Sequence, residues 1–404
     1  MKRGKKIALV LLILAILSQI PFAYRRYKLG RLHDAISQLN SQRVQNTSAD
    51  SFTEYVGVMH VHSFLGGHSN GAFEAIIAGA QANHLQFVVM TEHVSRDFDT
   101  SAMTLSGQHG GVLFLNGNEV GLENGNRLLV VPGGAAVAGS AGNEINEFIA
   151  EQKARKAAVF VGYPQDFKSW SSSGYDGVEV YNLFTNSRQI NPVVMFFDGL
   201  WCYHSYPELL FANFYQRPSE NLSLWDQAMI QGSRHVVATA GNDAHSNVGL
   251  ALNDSAGKKL LGIQLDPYER SFRLVRMHVL VPKGQELSAE SLQTALATGH
   301  SFIAFDVFGD ASGFRFSATS ASGSKTQGDE VTLEPNTKLT VNTPIVSRMV
   351  LFRNGQVMQE QSGGTHYEFE VRERGFYRVE AYLSQLPQPI GNQSWIISNP
   401  ILVR

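Results

Sequence analysis

The chain has 404 residues, 43% of them hydrophobic, which is enough to bury a large core in two or three domains and excludes a disordered polypeptide. Its formal net charge of −2 offers no basic surplus, so no nucleic-acid partner is expected from charge. A single cysteine, Cys202, excludes both an internal disulfide framework and a cysteine-rich zinc site.

The chain begins MKRGKKIALVLLILAILSQIPFAYRRYK, in which Lys2, Arg3, Lys5 and Lys6 precede an apolar run from Ile7 to Ala23. As a helix that run spans about 26 Å, just short of a hydrocarbon core of roughly 30 Å. No small-x-small cleavage site precedes Arg25, so residues 1–26 are expected to be an uncleaved signal anchor, a single transmembrane helix, rather than a secretory peptide. Arg25, Arg26, Lys28 and Arg31 follow the run, so charge asymmetry orients it only weakly. The layout of an export signal places the body outside the cytoplasm, periplasmic or extracellular, in preference to a cytosol-facing anchor. In residues 27–50, Leu29, Leu32, Ile36 and Leu39 have near-helical spacing before the sequence turns polar, which predicts a short stalk.

From Tyr55 onward, short apolar runs alternate with helical stretches. YVGVMH, FVVMTEH, VLFLNGNE, AAVFVGYP, GVEVYN and HVVATAGNDAH are the predicted strands, with EAIIAGAQANH and NEINEFIAEQKARK as helices between them. Doubly buried strands separated by helices predict an α/β fold on a parallel sheet, open or closed into a barrel, over residues 51–304. Such folds collect their sites at the C-terminal strand ends. Those ends carry His60 and His62, Glu92 and His93, Glu119, and Asp243 and His245, which are expected to form one inward-facing cluster. LSAESLQTALATGHSF is an amphipathic helix closing this region. Past Phe305 the pattern alternates, and Asn354-Gly355 signals a hairpin, so residues 305–404 predict a small all-β sandwich of unknown partner, with Arg353 and Arg378 as solvated strand charges.

GVMHVHSFLGGHSNG puts His60, His62 and His68 close together. Neutral imidazole is the commonest metal ligand, and histidines with carboxylates suit zinc, manganese or iron. In an extended strand, side chains at i and i+2 share a side, so His60 and His62 are expected to reach one ion. His68, in a glycine-rich loop, can fold back toward a neighbouring ion.

HVHS with a loop histidine, TEH, a later Glu, GVEVYN and GNDAH, in that order, resemble the signature of the polymerase-and-histidinol-phosphatase (PHP) family of metal-dependent phosphoesterases, over about residues 55–300. LDPYERSFRLV, ATGHSFIAFD and SNPI resemble a branch of it that carries a C-terminal β-sandwich and includes carbamate hydrolases. The resemblance implies a distorted seven-stranded β/α barrel with up to three metal ions. Carried over, one ion would take His60, His62, Glu119 and Asp243, and another His68, His93 and His245, with Glu92 where the family has Asp. The middle ion's two histidines correspond to Tyr163 and Asn186, which replace imidazole poorly, so one or two divalent transition-metal ions are expected. His204 is a candidate substitute ligand, although a histidine outside the site is the simpler reading.

The expected activity is a metal-dependent hydrolase with Asp243, Glu119 and His245 at the catalytic centre, acting on a small-molecule or phosphoester substrate. Carbamate, ester or amide hydrolysis on the same site is the alternative, and a non-catalytic envelope binding protein with a relic site is the rival. Arg96, Arg188 and Tyr163 are the candidate substrate contacts.

Overall fold

The predicted apolar runs all become strands, and two of them break in the middle. In the computed structural model, which describes residues 3–44, 51–187, 191–212, 215–253 and 259–404, FVVMTEH divides into Phe87–Met90 and Glu92–His93, and VLFLNGNE into Val112–Leu115 and Asn118–Gly121. Each first half stays in one sheet while its second half joins another. Gly117 makes the second break possible, because a Cβ there would lie 2.6 Å from the Met90 carbonyl oxygen.

In the first sheet Phe52–Val61 pairs in parallel with Phe87–Met90, and that strand with Val112–Leu115. On its other edge Phe52–Val61 runs antiparallel to Arg276–Pro282, which is followed in turn by Ser301–Ala304 and Ser394–Ser398. The second sheet has the order Glu92–His93, Asn118–Gly121, Arg127–Val131, Ala158–Gly162, Gly177–Asn182, Val237–Gly241, read from one edge to the other. The two sheets meet where Val61 bridges Ala244 and where Asn242 N–H donates to the Met59 carbonyl at 2.9 Å.

The architecture is therefore mixed α/β, and it departs from an alternating β/α pattern at Arg127–Val131. This strand, which the sequence reading did not include, runs antiparallel to both of its neighbours. The expected domain boundary at residues 304 and 305 falls inside a hydrogen-bonded sheet, since Ser301–Ala304 pairs with Ser394–Ser398. Beyond it Lys338–Arg353 and Gln356–Glu370 form the hairpin signalled by Asn354-Gly355, both with positive φ (48° and 75°), as a tight turn between right-twisted strands requires.

Arg378 corrects one expectation. It is buried, donating to both Asp226 oxygens at 3.0 and 2.8 Å and to Glu380 at 2.7 Å, and so pins the strand Gly375–Tyr382 to the helix Ser219–Gly232. A charge on an alternating strand reads as solvated only if nothing covers that face, and here a helix does. Arg353 is partly exposed and pairs with Glu373. A second buried ionic group lies beneath the first sheet, where His278 sits between Glu54 at 2.7 Å and Asp306 at 3.1 Å.

The N-terminal segment is one helix, Arg3–Ser41, in place of an anchor followed by a separate stalk. It is long and apolar enough to cross a membrane, and its apolar window is exposed throughout. Its C-terminal half lies against the body, with Leu29, Leu32 and Leu39 buried. Near-helical leucine spacing is thus the signature of a docked face here.

Candidate metal centre

His60 interrupts the regular pleat of its strand. Its φ is +63°, and the pairing register of Phe52–Val61 shifts between Met59 and Val61, so a bulge sits at this histidine. Simple alternation therefore does not bring His60 and His62 together; the bulge re-aims His60, and the two ring centroids come to 5.1 Å. Tyr163 and Asp243 also have positive φ, 49° and 47°. Non-glycine residues held there cost on the order of 1–3 kcal/mol each, a cost met where geometry matters more than local comfort.

Four side-chain atoms converge. His60 Nε2 lies 3.1 Å from Glu119 Oε2 and 3.5 Å from Asp243 Oδ1, and His62 Nε2 lies 3.3 and 3.4 Å from the same two oxygens. A tetrahedron with bonds of about 2.1 Å has edges of about 3.4 Å, so these atoms already stand at the spacing of a four-coordinate ion's ligands. All four residues are buried. His62 Nε2 and Asp243 Oδ1 have no hydrogen-bond partner, as expected of atoms whose partner is a cation.

The remaining side-chain atom of three of these four residues is fixed by the protein, whereas His62 Nδ1 has no hydrogen-bond partner. His60 Nδ1 is 2.7 Å from Glu179 Oε1, the carboxylate–histidine arrangement that turns Nε2 toward an ion. Gly241 leaves room for this contact, since a Cβ there would fall 1.9 Å from Glu179 Oε1. Arg127 Nη1 donates to Glu119 Oε1 at 2.5 Å. The Tyr163 hydroxyl donates to Asp243 Oδ2 at 2.5 Å, and Asn182 Nδ2 donates to Asp243 Oδ2 at 3.3 Å and to Glu179 Oε2 at 3.0 Å.

Electrostatics point the same way. Glu119, Glu179 and Asp243 are buried, and of these Glu119 pairs with the Arg127 guanidinium. Burial opposes their charge, yet His60 and His62 hold the Glu119 carboxyl well below its usual range, and His60 with His62 lowers Asp243. Burial alone would push the His60 imidazole down, but the charges of Glu179 and Asp243 raise it well above its ordinary value. The cluster thus favours positive charge at its centre, where a cation would be held by the surrounding carboxylates.

His93 and His245 behave differently. Burial, reinforced by the nearby His62, pushes His93 down to about 3 and His245 to about 4. Both are neutral imidazoles near pH 7. His245 Nδ1 donates to the Asp243 carbonyl at 2.8 Å, which leaves Nε2 free, buried and unpartnered. His62, His93 and His245 form a second group of potential ligands, and His68 Nε2 approaches His93 Nε2 at 3.2 Å. Glu92 is not among these potential ligands. Its carboxylate accepts from the Ser63 N–H at 3.1 Å and the Thr104 hydroxyl at 2.7 Å, and so fixes the chain just past His62.

A cleft of about 520 Å³ opens over the cluster, lined among others by His68, His93, Arg127, Tyr163, Phe184 and His245. Of the candidate substrate contacts, Tyr163 lines it, Arg96 is exposed elsewhere, and Arg188 lies outside the described residues. Asn186 does not line the cleft; the amide that reaches the carboxylates is Asn182, four residues earlier. His204 is exposed in a turn after the helix Pro192–Cys202. Sequence reasoning missed Arg127, Glu179 and Asn182. GVEVYN carried the signal for the last two, a charged and an amide side chain in a fully buried strand, whereas Arg127 reaches Glu119 only through the unforeseen antiparallel pairing of Gly121 with Arg127.

The donor set, imidazole and carboxylate around a shared centre, could hold a divalent metal ion. No family model and no curated protein matches the chain. Among solved structures it is similar to a two-domain protein from Bacteroides vulgatus described as containing a predicted PHP-like metal-dependent phosphoesterase, at 13% identity and a TM-score of 0.41, covering 89% of this chain and 98% of that one. It is also similar to PsfC from Pseudomonas syringae, at 12% identity and a TM-score of 0.38, covering 63% of this chain and 92% of the other. The functional reading accordingly rests on the site itself.

Proposed function

We propose that the protein is a metal-dependent hydrolase, and that its substrates are phosphoesters. The observation that carries this reading is the set of four converging atoms with imidazole–carboxylate separations of 3.1–3.5 Å, two of them buried without any other partner. His60, His62, Glu119 and Asp243 would hold one ion, and His93 and His245, with His68, a second; zinc, manganese and iron suit such ligands. An ion so held supplies two things, a lower pKa for a water and withdrawal of charge from a phosphoryl or acyl oxygen.

The chain's own groups supply the rest. Arg127 commits one N–H to Glu119 and keeps a partly exposed guanidinium on the cleft wall, a cationic surface for a phosphoryl group. Burial, followed by the charge of Asp243, raises the Tyr163 phenol far above its ordinary value, so it stays protonated and continues to donate to Asp243. Where only the first ion is bound, Nε2 of neutral His245 on the cleft wall is free to accept a proton. The Arg127 guanidinium on that wall favours phosphoesters over the neutral carbamates, esters and amides that the same centre could hydrolyse.

In this reading Ile7–Ala23 anchors the chain in a membrane with the body outside the cytoplasm, residues 51–304 carry the chemistry, and residues 305–404 are an appended β domain. The test is metal analysis of the purified full chain in detergent, joined to a panel of phosphomonoesters, phosphodiesters and aryl carbamates. One or two bound transition-metal ions with phosphoester turnover are expected. A chain that takes up no stoichiometric metal is a relic-site binding protein instead.

A further inference from the structure

We propose that the helix Pro192–Cys202 is a second membrane contact, lying at the headgroup boundary beside the exit of the N-terminal helix; this rests on the anchor reading above. The sequence PVVMFFDGLWC is apolar except for one carboxylate, an unusual composition for a helix on a surface. Val193, Phe196 and Leu200, spaced three and four apart and so on one face, are 62%, 51% and 68% exposed. Large apolar side chains grouped on one exposed face mark a contact surface.

The neighbour of this helix identifies what covers it. It packs against residues 19–26 of the N-terminal helix, where the apolar run ends. Phe22 stacks on Phe197 with centroids 4.8 Å apart, and the Trp201 indole N–H donates to Gln19 at 3.1 Å. The one carboxylate is spent on this junction, since Asp198 is buried and accepts from Arg25 Nε at 2.7 and 2.8 Å. Arg26 donates to the Trp201 carbonyl and to Ser205 at 2.9 Å. The exposed face therefore stands at the level where the hydrocarbon span gives way to basic residues, Arg25, Arg26, Lys28 and Arg31. An apolar face with a tryptophan beside a cationic belt is the chemistry of a phospholipid interface.

The test uses the full chain in phosphatidylcholine–phosphatidylglycerol vesicles, with Cys202→Ala removing the native thiol and spin labels placed at Leu12→Cys, Leu200→Cys or the exposed Glu290→Cys. The expected result is a Leu200 label whose collisions with an aqueous nickel complex are on the order of fivefold fewer than those of the Glu290 label, with the Leu12 label protected as well. A protected Leu12 label with a Leu200 label as accessible as Glu290 overturns the second contact alone. Aqueous exposure of both overturns the anchor, and the inference with it. Spin–spin broadening at Leu200 that grows with the protein-to-lipid ratio would show a second copy covering the helix and overturn the lipid assignment. In the chain without labels, acyl-chain-brominated lipid should quench a fluorescence component that Trp201→Phe removes; no such component overturns the proposal.

Discussion

The phenol of Tyr163 donates to Oδ2 of Asp243 at 2.5 Å, and Oδ1 of the same carboxylate is thereby the oxygen turned toward His60 and His62. A residue that stands where a ligand was expected orients a ligand instead. Tyr163→Phe keeps the ring and removes the donor. Losing such an outer partner typically weakens metal affinity about 10- to 100-fold. Competition with a chelator would measure it, and unchanged affinity would leave Asn182 as sufficient for Asp243.

Asp243→Ala is expected to abolish both metal binding and turnover. It removes one of the two negative charges among the four converging atoms and leaves His62 Nε2 without its neighbour at 3.4 Å. Elemental analysis of the variant decides the matter, since full metal content with normal turnover would mean that the ion is held elsewhere.

Arg127→Met should separate substrate classes. The guanidinium lines the cleft and bonds Glu119 Oε1, while Oε2 faces the histidines. With metal content retained, kcat/KM for phosphomonoesters should fall about tenfold or more, corresponding to about 1.4 kcal/mol of lost stabilisation, and aryl carbamate turnover should change little. Equal losses on both classes would assign Arg127 to positioning Glu119 alone.

His278 makes stability depend on alkaline pH. Burial lowers its pKa, but Asp306 and Glu54 outweigh that and raise it from 6.5 to about 9. The contribution of the imidazolium is present in full below about pH 6.5 and is lost as pH rises through about 9, amounting to about 3 kcal/mol at most. Urea unfolding between pH 6 and 10 should show the decline, and His278→Gln should flatten it at a lower overall stability.

Arg378→Ala should destabilise the chain by about 3–5 kcal/mol, because it strands buried Asp226 without its cation, while Glu380 keeps Arg217. Arg353→Ala, at a partly exposed pair, should cost under about 1 kcal/mol. Paired denaturation curves of the two variants would give the contrast directly.

Much of the candidate site is legible in the sequence, because its polar residues end apolar strands and polar side chains in such places need a common purpose. His60, His62, Glu119, Asp243 and His245 do come together. What escaped was long-range. The partnership of Arg127 with Glu119 depends on an antiparallel pairing that no local pattern announces, and the burial of Arg378 depends on a helix more than a hundred residues earlier in the chain. The i and i+2 argument for His60 and His62 named the correct pair for an incomplete reason, since a bulge, not alternation, aims the first ring.

The unbroken helix Arg3–Ser41 has a mechanical consequence. From Tyr24 to Ser41 it extends about 27 Å along the body, with Leu29, Leu32 and Leu39 seated in the core. A protein hung on such a strut has no loop between its span and its body, and Pro21 is the one helix-interior proline along it. If Ile7–Ala23 is embedded in a bilayer, the cleft is held at one height and one heading, and a substrate tied to the same bilayer must be long enough to present its scissile bond there, whatever the chemistry of the cleft would accept.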